Sequence, residues 1–540
     1  MNNFKKVIDR QMWVQVTPAP NVHAAGGSLC CDMRNDISRN PFIYQLVGAT
    51  IVNRYNFITK GWQPIVNPGL GGTFGAGAGC VFAPSQSLVG SIGVGSTTSK
   101  IVTSTVITSV GINMLANRGG SGEYGFKIRI KGVSAGGSGK TEERWIVANT
   151  SGTTPTITLD VPLTFTPASG DTYEILGGKI YMLSASTLVA TSFRSFEVAT
   201  NTLASLSNTN LPATIVTDFS AVALDELYVP YDRKPGEGFL VGTSTYDPSC
   251  SCGSKGCLLA TATAAGTITG QASGGDAAVL QNEYRNFQIR IVEDTSTPTA
   301  VGQRRIIASH TAGVSPVYTL GSNWTVTPSA NAKYVIENPN LILLWSSGTA
   351  VTYTYNYGTA AVNNGTNTIN ANAWHVTYFG NRGGNMGAGC TTFPSFGIEP
   401  DEGKNSRHSY IFSFRGGATT NLDMLDIAGS ITGTWSNPVV DGVYTAFTTG
   451  SCGKYAPCDN EGRFGYLNIY TASVLNQVYR FDVKNRVLQA FTPTDWVQSG
   501  TAAVGDRIGT CVAIDGSEKY TVVLLLAHTM SISQELVVQV

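Results

Sequence analysis

One stretch of this chain is written twice, and nothing else in it constrains the fold as strongly. Phe126 to Ile175 aligns without a gap on Phe287 to Ile336 at a single offset (287 − 126 = 161). The matched pairs include Phe126/Phe287, Ile128/Ile289, Arg129/Arg290, Ile130/Ile291, Arg144/Arg305, Gly152/Gly313, Pro155/Pro316, Leu159/Leu320, Pro167/Pro328, Tyr173/Tyr334 and Ile175/Ile336. Chance does not hold Gly, Pro and Tyr in register over about 50 residues, so the stretch is a duplicated module. Phe126-Lys127-Ile128-Arg129-Ile130 and Thr156-Ile157-Thr158-Leu159 alternate apolar and polar, as half-buried strands do. Each copy therefore predicts a small β-barrel or sandwich, placed at 86–178 and 250–338.

With those two segments removed, a weaker and older repeat emerges. Each unit opens with an apolar strand, turns, and ends on an aromatic or Leu, an acid, and Val or Ile. Tyr410-Ile411-Phe412-Ser413-Phe414 leads to Leu425-Asp426-Ile427, Phe464-Gly465-Tyr466-Leu467 leads to Phe481-Asp482-Val483, and Ile180-Tyr181-Met182-Leu183 leads to Phe196-Glu197-Val198. Phe42 to Leu46 and Leu341 to Trp345 open looser copies. Gly77-Ala78-Gly79-Cys80 recurs as Gly387-Ala388-Gly389-Cys390, with Gly27-Ser28-Leu29-Cys30 and Gly509-Thr510-Cys511 as diverged forms. Segments with so little side chain suit strands that converge on an axis. Short strands repeated about every 50 residues predict a β-propeller. Units start near Pro41, Lys179, Asn340, Ser409 and Arg463. A sixth is expected to be split: Tyr520–Ala527 and Gln534–Val540 supply its first half, and Trp13–Cys31 its second. The expected fold is thus all-β, a six-bladed propeller closed by the N- and C-terminal strands, with two duplicated insertions. The propeller takes 1–85 (closing strands and blade 1), 179–249 (blade 2) and 339–540 (blades 3–6).

The blade pattern resembles kelch repeats, best over 409–515, with Ser413-Phe414-Arg415-Gly416-Gly417 as the clearest piece. The regular Tyr-to-Trp spacing of kelch is missing, so no binding residue is carried over. The inserts, with Arg, an apolar strand, a Gly turn, a further strand, Thr-Pro and then Tyr-x-Ile, resemble a small module of bacteriophage tail and head appendage proteins.

Charged residues are only 13% of the chain, about half the usual share. Such a surface suits coverage by partners. With 35 basic and 35 acidic residues there is no net field, which argues against nucleic acid as a main partner. Met1 to Val22 has no apolar segment of a secretory signal, and Val522 to Ala527 is strand-sized, so synthesis in a cytosol and no membrane partner are expected.

Candidate chemistry is sparse. Gly136-Gly137-Ser138-Gly139-Lys140-Thr141 imitates a phosphate-binding loop, but Ser134 stands where the first Gly belongs and Arg144-Trp145-Ile146-Val147 reads as a strand rather than a helix. A hairpin turn is expected there. Cys250, Cys252 and Cys257 form one loop cluster, and Cys452 and Cys458 another. Their spacing fits zinc poorly, so disulfides in an extracellular particle and plain thiols stay open. Cys80, Cys390 and Cys511 read as small buried thiols. His23, His310, His375, His408 and His528 are scattered, and no nucleophile elbow or His-Glu-x-x-His occurs. Asp218, Asp225, Glu226 and Asp232 around Tyr228 and Tyr231 read as a solvated loop. Tyr353, Tyr355 and Tyr357 could stack on a sugar but read as one face of a strand. No catalytic, cofactor or metal residue is assigned.

The function expected from this is a structural protein of a tailed-phage virion, at tail, neck or nozzle, assembled in the host cytoplasm. It would be a homo-oligomer contacting other virion proteins. The alternative is a receptor- or glycan-binding propeller facing a host surface glycan. A binder should show an exposed aromatic cluster with polar partners, and a scaffold broad apolar interfaces.

Overall fold

A computed structural model describes the strands of residues 12–64, residues 78–224, 258–396 and 409–490 with short gaps, and the strands of residues 508–539. Among these residues the fold is all-β, with a short 3-10 turn at Pro298–Ala300. No helix among them is long and apolar enough to cross a membrane.

Six four-stranded antiparallel sheets recur along the chain. Sheet I runs Ser28–Cys31, Phe42–Val47, Ile51–Asn56 and Gly61–Pro64. Sheet II runs Gly79–Ala83, Lys179–Leu183, Phe193–Glu197 and Thr202–Ser205. Sheet III runs Phe219–Ala223, Leu341–Ser346, Tyr353–Asn356 and Ala373–Val376. Sheet IV runs Thr391–Phe396, Ser409–Phe414, Leu422–Asp426 and Thr434–Ser436. Sheet V runs Cys452–Ala456, Phe464–Thr471, Val474–Asp482 and Val487–Ala490. Sheet VI runs Ile508–Asp515, Glu518–Leu526 and Ser533–Gln539, and its fourth strand is Met12–Val16 from the other end of the chain. Repeated four-stranded meanders of this kind are β-propeller in character.

The first strands lie beside one another in series. Ser28–Cys31 touches Gly79–Ala83, and contacts continue through Phe219–Ala223, Thr391–Phe396, Cys452–Ala456 and Ile508–Asp515 back to Ser28–Cys31. Small residues permit this approach. A Cβ added at Gly79 would sit 3.0 Å from the Phe219 ring, and the Cys80 N–H donates to Ser28 Oγ at 3.2 Å. Second strands are covered on both sides, so Leu341–Ser346 is buried at every position and reads as a continuous apolar run instead of alternating.

The phase of the repeat differs from the sequence reading by one strand. Ser28–Cys31 opens sheet I and does not finish the split unit, so the N-terminus gives sheet VI only Met12–Val16. Likewise Ile508–Asp515 opens sheet VI. A Gly-rich strand ends one sequence period as readily as it begins the next; tertiary packing decides which.

Both insertions leave the same place, between the first and second strands of neighbouring sheets II and III. Leu88–Ser91, Lys100–Val102, Lys127–Lys131, Thr141–Asn149, Thr156–Leu159 and Thr172–Leu176 build the first, a six-stranded sheet whose ends meet at the bridge Ile92–Thr103. Leu258–Ala264, Thr267–Gly270, Gln288–Glu293, Arg304–His310, Val317–Leu320 and Lys333–Glu337 build the second, a closed barrel of equivalent strand order. Duplication extends to detail. Both carry a β-bulge at the same point, Val147 and Ala308. Both inserts pack onto the sheets. Phe126, Ile128 and Tyr173 share a core with Phe42, Phe82 and Phe196 of sheets I and II. Phe287, Ile289 and Tyr334 share one with Leu343 and Trp345 of sheet III and Ile411 and Leu425 of sheet IV.

Candidate functional site: a buried charge cluster between the inserts

The two modules meet through equivalent surfaces. Arg129 and Arg290 occupy matching positions, one on Lys127–Lys131 and one on Gln288–Glu293. Arg129 donates to Glu143 through Nε at 2.8 Å and to Glu174 through Nη1 at 2.8 Å. Lys131 Nζ reaches the other Glu174 oxygen at 2.8 Å. In the second module Arg290 and Arg304 both bind Glu337, at 3.0 and 3.2 Å. Arg304 also crosses to Glu174 at 3.7 Å, stitching one module to the other. The hairpin loops add a backbone bond, Asp294 N–H to the Gly139 carbonyl at 2.6 Å.

Strand registry makes the cluster. Glu143 and Glu174 are the direct cross-strand neighbours of Arg129, so three charges share one face of the sheet. Burial alone would raise the Glu174 carboxyl, but Lys131, Arg304 and Arg129 together hold it well below its ordinary value. Glu143 and Glu337 are lowered in the same way, burial being outweighed by Arg129 and by Arg290 respectively. Burial lowers Lys131, and the nearby Arg304 and Arg129 oppose the raising influence of Glu174. Four cations, Arg129, Lys131, Arg290 and Arg304, thus face three carboxylates, Glu143, Glu174 and Glu337. Every charged group here is spent on another, in a site covered from both sides. The arrangement suits clamping two bodies together; it presents no free acid or base to a substrate.

A second buried set lies in sheet IV, where Asp423 accepts from Arg382 Nε at 2.9 Å and from Arg415 Nη2 at 2.7 Å. Within the first insert Glu142 bonds Arg144 and Thr164.

The residues weighed from sequence fall as follows. Gly136 to Thr141 is the turn joining Lys127–Lys131 to Thr141–Asn149, and Gly139, at φ +67°, meets the second insert there. Tyr353, Tyr355 and Tyr357 are buried with Tyr181, Phe193 and Trp374 between sheets II and III and offer no stacking face. Cys390 is buried and Cys80 half-buried. The side chains of Cys250, Cys252, Cys257, Cys452, Cys458, Cys511, His23, His408, His528, Asp218, Asp225, Glu226, Asp232, Tyr228 and Tyr231 lie outside the described residues. No group of three possible metal ligands occurs among the described residues.

Sequence reading passed over His310, which proves to be a structural hub of the second insert. Its Nε2 accepts the Tyr284 N–H at 2.8 Å, which leaves Nδ1 to donate to the Thr311 carbonyl at 3.0 Å. Burial lowers its pKa to about 4. The first insert has Asn149 at this position, whose Oδ1 accepts the Leu115 N–H at 2.8 Å. In both copies the backbone N–H of this residue donates to an Asn at positive φ, Asn113 or Asn282. His310→Asn is therefore expected to be tolerated, and His310→Leu to lose about 1–3 kcal/mol by orphaning the Tyr284 N–H. Because the folded state favours neutral His310, its contribution is whole above pH ~6.5 and fades as pH falls toward 4, by on the order of 3 kcal/mol. Melting curves across that window should slope for the native chain and flatten for His310→Asn. Equal slopes would remove His310 as the cause.

No family model and no curated protein matches the chain. Structural overlaps are faint. Sqt1 of Saccharomyces cerevisiae aligns at 10% identity over 98% of this chain and 100% of its own, with a TM-score of 0.30. TolB from Acinetobacter baumannii aligns at 11% identity over 67% and 76%, TM-score 0.19. A point mutant of the NanB sialidase from Streptococcus pneumoniae aligns at 7% identity over 98% and 94%, TM-score 0.22. At these scores neither fold nor activity is carried across; the propeller character rests on strand order.

Proposed function

We propose that this chain is a non-catalytic structural component of a tailed-bacteriophage virion, a six-bladed β-propeller closed by its own two ends and assembled in several copies at the tail, neck or nozzle. The observation that carries the reading is the unbroken cycle of first strands, with Met12–Val16 paired to Ser533–Gln539. A ring sealed this way has no loose outer sheet, and deforming it means breaking a ladder and an inter-sheet contact together. The clamp between the inserts points the same way, since it ties two neighbouring blades into one body and uses up its charges in doing so. The low charged fraction, 13%, fits a surface meant for neighbouring subunits.

An antibody raised against the whole chain tests this directly. It should decorate purified phage particles at one fixed level of the tail or neck in electron micrographs. Intact particles that carry no label, and no peptide of the chain by mass spectrometry, would end the virion reading.

A further inference from the structure

One arginine beside sheet IV is buried with a donor that nothing accepts. Asp423, on the third strand, serves two guanidiniums at once. It accepts from Arg382 through Nε at 2.9 Å and through Nη2, from Arg415 through Nε at 2.9 Å and Nη2 at 2.7 Å, and from Asn437 at 3.3 Å. A carboxylate has about four lone-pair sites, so its capacity is filled. One negative charge still faces two positive ones. Arg382 Nη2 also points at the Ser413 carbonyl, 3.4 Å away, but Nη1 has no acceptor although the side chain is 0% exposed. Burial lowers the pKa of Arg382, and the Arg415 charge adds to that against the pull of Asp423. An incompletely neutralised buried charge is costly, and a second anion would relieve it.

The neighbouring chain leaves an approach from solvent. Arg382 belongs to the segment that joins the last strand of sheet III to the first of sheet IV, and Gly383, Gly384 and Asn385 follow it. Gly383 and Asn385 are exposed, and the backbone N–H groups of all three have no acceptor among the described residues. Arg415 lies beside them. It spends Nε and Nη2 on Asp423, and a Cβ at Gly384 would come 2.3 Å from its Nη1, so the missing side chain is what lets the guanidinium approach the backbone. A Cβ at Gly383 would meet nothing nearer than Arg415 Nη2 at 3.7 Å, which leaves room over the guanidinium. Planar guanidinium forks and backbone N–H groups match the oxygens of a phosphate or sulfate.

We propose that Arg382, Arg415 and the Gly383–Asn385 backbone form a binding site for a small oxyanion, phosphate or sulfate, where sheet III hands over to sheet IV. Arg415 Nη1 and the backbone N–H groups donate to it, and the Arg382 charge supports it from behind. Bound there, the anion supplies the negative charge that Asp423 alone cannot.

Phosphate and sulfate, each titrated into the full-length chain against sodium chloride of equal ionic strength, test this. At least one should bind with a Kd of about 1 mM or tighter and raise the melting midpoint above that of the chloride control. Arg415→Gln should weaken binding at least about tenfold. Gly383→Asp plants a carboxylate beside Arg415; it should melt above the native chain in chloride and no longer respond to either oxyanion. Lys100→Gln, which removes an exposed cation of the first insert, should respond as the native chain does. If neither oxyanion does better than chloride, there is no such site. If Arg415→Gln and Gly383→Asp keep the native response, the anion binds elsewhere and the proposal falls.

Discussion

Glu174→Leu is expected to destabilise the joined inserts by about 3–5 kcal/mol, read as a lower midpoint in denaturant. Glu174 is the anion that Arg129, Lys131 and Arg304 share, and Arg304 belongs to the other module. Removing it leaves four buried cations, Arg129, Lys131, Arg290 and Arg304, against two carboxylates, Glu143 and Glu337, and an uncompensated buried charge costs more than the intact pair contributes. Lys131→Met in the Glu174→Leu background should recover part of the loss, since it withdraws the cation left without a partner. If the double variant is worse than the single, desolvation is not the source of the cost. Acid should act through the same groups. Glu143, Glu174 and Glu337 have folded pKa values below their unfolded ones, so their stabilisation is complete above the ordinary carboxylate range and drains away as pH falls through and below it.

The second large effect is expected at Asp423, whose side chain is 1% exposed beside a fully buried Arg382. Asp423→Ala should cost about 3–5 kcal/mol, because Arg382 keeps its charge and loses its only carboxylate among the described residues. Arg382→Met should be milder, since Asp423 would still hold the partly exposed Arg415. Burial raises the Asp423 carboxyl, but hydrogen bonds and charge from Arg415 and Arg382 bring it below its usual value. Thermal or urea unfolding of the two variants gives the order. If Arg382→Met proves the more damaging, packing of Arg382 on the Trp435 ring, 5.6 Å away, outweighs the ion pair.

Local signals made the larger architecture legible. A gapless repeat with fixed Gly, Pro and Tyr can only be a duplicated body, and the equivalent strand orders of the two inserts agree with that. Apolar runs such as Leu341 to Trp345 marked strands buried on both faces. What escaped sequence reading depended on contacts between distant segments. The phase of the repeat slipped because Gly27 to Cys30 follows one unit and precedes the next, and only its pairing with Phe42–Val47 says which it joins. The charge cluster escaped because its members are spread from Arg129 to Glu337. Its one visible sign was the pair Arg129/Arg290, a charge kept at the same place in both copies. His310 escaped because its counterpart is Asn149: both accept a backbone N–H, but only one is titratable, and the likeness lies in geometry, not in letters.

Where the chain joins itself also sets a clock for its manufacture. Met12–Val16 leaves the ribosome far ahead of its ladder partner Ser533–Gln539. At ordinary translation speeds the early strand waits roughly 30–100 s with its edge bare. Nascent chains crowded on one messenger would be at risk of exchanging that strand with one another. A holding chaperone, or slow decoding late in the message, would then govern the yield of correctly sealed molecules more than the strength of any single core.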